Sequence, residues 1–271
     1  MTLKEKLSEA RQQKTALFAF NFYNLETLKG VLRAAAERER AIILQLTQSS
    51  IDYMGLTPAV SLARALLSEY RVRGWIHLDH SNSIDLCHAC LDAGFDSVMI
   101  DASERPFAKN IKITRQVVRL AETFGAHVEA ELGYVAKLGQ DTERQGFTDP
   151  ARARIFVDET GVDALAVAIG SAHGFYRGEP KLDLTLLQKI DETLGIPLVL
   201  HGGSGIPAPQ IRGAVERGIC KVNVATEIKN AFMKQVKRSV NENDNIDLRT
   251  VFPPAIKAVE AIAASKLDIL A

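Results

Sequence analysis

Eight short runs of apolar and β-branched residues, each followed by a longer stretch, mostly of helical period, restrict this chain's fold more than any other feature. Strands are predicted at 17–22 (LFAFNF), 41–47 (AIILQLT), 75–80 (WIHLDH), 95–102 (FDSVMIDA), 127–133 (HVEAELG), 164–171 (ALAVAIGS), 197–205 (PLVLHGGSG) and 220–227 (CKVNVATE). Helices are expected at 25–40, 58–70, 83–94, 110–125, 150–161, 183–195 and 209–218. Gly94, Gly125, Gly161, Gly195 and Gly218 close five of them, where a left-handed residue costs glycine least. An unbroken strand–helix alternation without a linker describes an α/β chain folded as a (β/α)8 TIM barrel, one domain over residues 1–271. An open doubly wound sheet fits less well, because no strand runs into the G-x-G-x-x-G turn of a dinucleotide site. The first fourteen residues (MTLKEKLSEARQQK) and 254–270 (PAIKAVEAIAASKLDIL) are expected to be extra helices that cap or embrace the barrel.

Charge and apolar content narrow the surroundings. Lysine and arginine number 33 against 33 acidic residues, so no global field draws the chain to nucleic acid or to an anionic membrane, and any anion site must be local. No run approaches the roughly 18 apolar residues of a spanning helix, and the charged N-terminus lacks the apolar core of a signal peptide. Three cysteines do not suggest a disulfide framework. The expected location is cytoplasmic.

In such a barrel the working residues stand at the C-terminal ends of the strands. Those positions hold Asn21, Gln45, Asp79 with His80, Asp101, Glu131, His173, His201 and Asn223. Three of the six histidines, His80, His173 and His201, fall after strands 3, 6 and 7, and three imidazoles converging on one point make a catalytic zinc arrangement with an open fourth position. His77 shares a strand face with Asp79, opposite the side His80 takes, and is expected to pack or support. His88 and His127 are expected to be surface or packing residues. Cys87 and Cys90 imitate a redox pair, but they lie on an apolar helical stripe with Ile84 and Leu91 and are expected in the core.

A second informative segment is HGGSGIP (201–207), whose glycines let backbone N–H groups approach an anion just before a helix begins near Pro207. NVAT (223–226) closes strand 8 beside it, and loops 7 and 8 are the usual phosphate site of this barrel. Unaided, these residues describe a metal next to a phosphate pocket, with Asp79, Asp101 and Glu131 nearby. Two chemistries stay open: polarising a carbonyl so that an adjacent proton can leave, or activating water for hydrolysis.

The segments FAFNFYN (18–24), HLDHS (77–81), SVMIDAS (97–103), VEAELG (128–133), AVAIGSAHGFY (166–176), HGGSG (201–205) and KVNVATE (221–227) resemble the class II, metal-dependent ketose-bisphosphate aldolases, fructose- and tagatose-1,6-bisphosphate aldolases among them. The resemblance runs from residue 18 to about Lys266. It implies Zn2+ on His80, His173 and His201, with Asp79 shuttling a proton at the C4 oxygen and Asp101 and Glu131 close to the metal. It also implies that Gly174, Gly202, Gly203 and Ser204 hold phosphate and a monovalent cation (Na+ or K+), and that Asn223, Ala225 and Thr226 bind dihydroxyacetone phosphate. The implied reaction is reversible cleavage of a ketose 1-phosphate to dihydroxyacetone phosphate and an aldehyde, in a homodimer or homotetramer without nucleic-acid or membrane partners. The segment 134–150 is shorter than in well-known members and offers Asp141 or Glu143 as the loop base. Arg249, in NIDLRT, matches an arginine of tagatose-type members suited to a distal anion. That far end leaves room for a phosphate, a carboxylate or a sulfonate, and a metal-dependent sugar phosphatase is the competing hydrolytic reading.

Overall fold

The computed structural model describes residues 1–133, 135, 146–176, 178–242 and 244–270. Its strands are β1 (Leu17–Asn21), β2 (Ile42–Thr47), β3 (Gly74–Ser81), β4 (Ser97–Ile100), β5 (His127–Leu132), β6 (Ala164–Val167), β7 (Leu198–Leu200) and β8 (Ile219–Val224). All neighbours pair in parallel, and β8 closes on β1, so the expected (β/α)8 barrel is what forms. The helices are α1 (Leu3–Gln12), α2 (Leu25–Glu37), α3 (Gln48–Met54), α4 (Leu56–Glu69), α5 (Ile84–Asp92), α6 (Phe107–Glu122), α7 (Pro150–Thr160), α8 (Leu184–Leu194), α9 (Ala208–Val215), α10 (Thr226–Glu242), α11 (Leu248–Val251) and α12 (Pro253–Leu267).

Local chemistry sets the boundaries. Thr2 with Glu5 and Asn24 with Thr27 form reciprocal caps that start α1 and α2, and Asp149 and Asp183 cap α7 and α8. The five glycines expected to close helices all take positive φ. The largest shortenings are in β4, by two residues at each end, and in β6, β7 and β8, which stop before the site loops. Small and apolar residues there read as strand, but Gly170 and Gly202 adopt positive φ, which ends a regular ladder. Three helices escape the sequence reading: α3, directly after β2, α10, directly after β8, and the short α11.

Each strand has one face toward the helices and one toward the barrel axis. Phe18, Phe20, Leu44, Ile76, Leu78, Val128, Val167 and Val222 belong to the large cluster packed against the helices. At the N-terminal end, Leu17, Ala19, Ile43 and Trp75 meet Leu3, Leu7 and Ala10 of α1, an apolar plug in the barrel floor. The first predicted extra helix is therefore the floor of the barrel. The second, α12, packs along α2 and α10 on the outside. Cys87 and Cys90 are free and buried, as the apolar stripe predicts, and burial pushes their thiols up to about 11 and about 12. No helix among the described residues is long and apolar enough to cross a membrane.

Candidate active site

The upper half of the barrel is lined by polar side chains that bond one another. On β3, His77 and Asp79 occupy the inward parity, and strict alternation would send His80 out toward the helices. The backbone prevents this. His80 has φ of 52°, and the β3–β4 register shifts between Leu78 and Ser81. A left-handed histidine at a bulge is a local strain of the kind held at working sites. It turns the imidazole back over the barrel mouth, so two consecutive side chains reach the same place.

There His80 meets the other two predicted ligands. Ring centroids are 5.0 Å apart for His80 and His173, 4.6 Å for His80 and His201, and 5.8 Å for His173 and His201. One donor atom from each lies within 4.8 Å of the others. Carboxylates meet His80 and His201. Nδ1 of His80 donates to Oδ2 of Asp101 at 2.9 Å, and Nδ1 of His201 donates to Oε2 of Glu131 at 2.9 Å. Nε2 of His80 is buried with no hydrogen-bond partner. A buried, orphaned imidazole nitrogen facing two more imidazoles is the donor set that a tetrahedral Zn2+ takes. His80, Asp101 and Glu131 form a second such group, sharing His80.

Asp79 lies below this cluster. Its Oδ2 accepts from the Asn21 amide at 2.8 Å and its Oδ1 from the Asn223 amide at 3.2 Å, while Gln45 donates to Asn21 at 3.0 Å. Burial alone would raise the Asp79 carboxyl, but the charges of His80, Lys221 and His201 and the Asn21 amide outweigh it and hold the acid ionised. Burial likewise opposes ionisation of Asp101, and its bonds to His80 and Ser103 prevail, so it too lies below the usual carboxylate range. Burial would also lower His201, but the bonds to Glu129 and Glu131 push it up to about 10.

The phosphate-loop candidates converge from three loops. Gly202 has φ of 66°, and a Cβ there would run into the Ala172 carbonyl, so β7's exit passes directly against the loop after β6. The Gly203 N–H donates to the Asn223 carbonyl at 2.9 Å, and Ser204 Oγ accepts from the N–H of Glu227 at 3.3 Å, in the first turn of α10. The sequence assigns the helical dipole at this loop to the helix near Pro207, but the Ser204 contact is with α10, whose start lies next to Asn223, Ala225 and Thr226. Gly174 has φ of 96° in the same region. Tyr176, unassigned in the sequence, accepts from the Ala172 N–H and donates to the Gly202 carbonyl, each at 2.9 Å. It ties the two loops that carry His173 and His201.

Two expectations fall elsewhere. Asp141 and Glu143 lie outside the described residues. Arg249 stands exposed on α11 in a two-point pair with Asp247, at 3.0 and 2.9 Å, and no described contact links it to the histidines. Glu129 and Lys221 are the residues the sequence reading missed; both are fully buried in the barrel. Their signal was charge at inward parity within HVEAEL and ICKVNV, where an unpaired charge would be prohibitive.

The family described as "Fructose-bisphosphate aldolase class-II" matches residues 1–271. The chain belongs to the class II fructose-bisphosphate aldolase family. It is an enzyme family of lyases. The chain is 42% identical to the fructose-bisphosphate aldolase of Geobacillus stearothermophilus over 98% of its length and 95% of that relative. It is 38% identical to the fructose-bisphosphate aldolase of Staphylococcus aureus strain Mu50, over 98% of this chain and 96% of the relative. Among solved structures, the YdjI aldolase from Escherichia coli K12 superimposes with a TM-score of 0.87 at 31% identity, covering 99% of this chain and 96% of that one.

Proposed function

We propose that this chain is a zinc-dependent aldolase that reversibly cleaves a ketose 1-phosphate of the fructose or tagatose 1,6-bisphosphate type to dihydroxyacetone phosphate and an aldehyde. The observation that carries this reading is the trio His80, His173 and His201, with the buried Nε2 of His80 lacking any other partner. These three would hold zinc, whose charge, when bound, stabilises the negative charge that builds on the substrate's carbonyl side as the C–C bond breaks.

Asp79 is the proton carrier. Held ionised and aimed by two amides, its carboxylate takes the C4 hydroxyl proton while the C3–C4 electron pair passes to C3 and the aldehyde forms. In the synthetic direction the same oxygen returns that proton. A second acid must protonate C3, and Asp141 or Glu143 fills that role in this reading. Asp101 steadies His80 through Nδ1, and Glu131 lies beside the metal group. Gly174, Gly202, Gly203 and Ser204 hold the phosphate and a monovalent cation, and Asn223, Ala225 and Thr226 hold the dihydroxyacetone phosphate body. Residues 1–271 act as one barrel domain, in the cytoplasm, as a homodimer or homotetramer.

The test is direct. Removing metal with a chelator abolishes cleavage of fructose and tagatose 1,6-bisphosphates, and zinc restores it. Full cleavage by metal-free protein overturns the reading, and release of inorganic phosphate instead of triose identifies a phosphatase. Condensing dihydroxyacetone phosphate with aldehydes bearing phosphate, carboxylate or sulfonate then identifies the far end.

A further inference from the structure

Below the histidine cluster a chain of polar groups runs down the sealed interior of the barrel. Lys221 Nζ donates to Glu129 Oε2 at 2.7 Å and to His77 Nε2 at 3.1 Å. His77 Nδ1 then donates to Ser97 Oγ at 2.8 Å, and Ser97 donates to His127 Nδ1 at 2.9 Å. The direction follows from chemistry: an ammonium only donates, which makes His77 Nε2 an acceptor and puts its proton on Nδ1. At the upper end, Glu129 Oε1 accepts from His201 Nε2 at 2.9 Å. Each oxygen of Glu129 therefore has its own partner, one a fixed cation and one an imidazole N–H.

Both ring nitrogens of His201 are taken, Nε2 by Glu129 and Nδ1 by Glu131, and a flipped ring would turn carbon toward both carboxylates. The two carboxylates differ in position and company. Glu131 belongs to the group that includes His80 and Asp101, on the side where the other imidazoles converge. Glu129 sits two residues earlier on the same face of β5, away from the mouth and anchored by Lys221, whose Cα pairs in register with Val199, two residues before His201. The nitrogen free to exchange its partner for a metal is therefore Nδ1.

We infer that Glu129, locked by Lys221, is a positioning residue that fixes the His201 ring through Nε2 and selects Nδ1 as its metal donor. This rests on the proposed zinc role of His201. The pair gives metal affinity a support that lies wholly inside the barrel. A histidine ligand held by a carboxylate on its other nitrogen is an arrangement whose loss weakens metal binding by roughly 10- to 100-fold.

The experiment measures zinc affinity by competition with a chromogenic chelator, alongside the melting temperature of the zinc-free protein. Glu129→Gln keeps the shape and is expected to weaken zinc by about 10-fold or more. The double variant Glu129→Gln/Lys221→Met removes both charges, so it keeps the test alive if the single variant does not fold, and it is expected to show the same weakening. Ser97→Ala breaks the lower chain without touching His201, and is expected to lower the melting temperature while leaving zinc affinity within about twofold. A folded Glu129→Gln or double variant that holds zinc within twofold of wild type overturns the inference, as does Ser97→Ala weakening zinc equally. Failure of the unaltered protein to bind zinc would instead overturn the metal reading itself.

Discussion

The floor and the mouth of this barrel are built from the same strands by opposite means. The floor is apolar: Leu17, Ala19, Ile43 and Trp75 meet Leu3, Leu7 and Ala10, and none of these side chains carries a charge. Above it, at the same inward parity, stand Asn21, Gln45, His77, Asp79, Glu129, Glu131, His201, Lys221 and Asn223, all buried and, apart from two amide oxygens, bonded. A closed barrel tolerates this because its axis is shielded from water at one end by α1 and each buried charge meets its opposite. Within the barrel interior, apolar packing thus holds the floor, while the polar groups gather toward the mouth.

Four perturbations test that division. Asp79→Ala acts on the mouth alone and should lower turnover by roughly 100- to 10,000-fold, with folding and zinc content retained. Steady-state kinetics beside metal analysis reads this, and near-normal turnover would dismiss Asp79 as the proton carrier. Leu7→Ala acts on the floor and should cost about 2–5 kcal/mol of stability, because a fully buried side chain leaves a cavity, while kcat at 25 °C stays unchanged. A matching fall in kcat would show that floor and mouth are one unit.

The third lies between them. His127 is buried, and burial, its largest influence, lowers it from 6.5 to about 4. The unfolded chain therefore binds a proton that the folded one refuses between those values. Its share of stability is complete above pH 6.5 and is lost as the pH falls toward 4, about 3 kcal/mol in all. His77, shifted the same way by burial and by Lys221, adds to this. Chemical denaturation across that range should show the loss, and His127→Gln should flatten part of it. The smallest effect is expected for Tyr176→Phe, which removes the hydroxyl between Ala172 and Gly202 and should cost about 1 kcal/mol. Because those loops carry His173 and His201, zinc affinity should fall with it, whereas a change in melting temperature alone would make Tyr176 an ordinary packing residue.

Much of this was legible in the sequence. The alternation of runs predicted the barrel because each strand is too short and each helix too one-sided to bury itself alone. Histidines at strand ends predicted the cluster, since the barrel brings distant strand ends to one rim. What was not legible depends on single dihedral angles or on pairing across the axis. Nothing in WIHLDHS announces that His80 is left-handed, and by parity it belonged outside. Glu129 and Lys221 are 92 residues apart, and only closure of the barrel makes them neighbours. The α10 start behind Ser204 was hidden because VNVATE reads as one continuous strand that runs into the first two residues of the helix.

The left-handed turn at His80 has a practical corollary. The dipeptide Asp79–His80 is not a transferable motif by itself, since on an evenly pleated strand its two side chains would be divided by the thickness of the sheet. Anyone moving this chemistry to another barrel must carry the irregular Leu78–Ser81 segment and its β4 partner as one piece. At this corner the backbone does the aiming, and the side chains only supply the atoms.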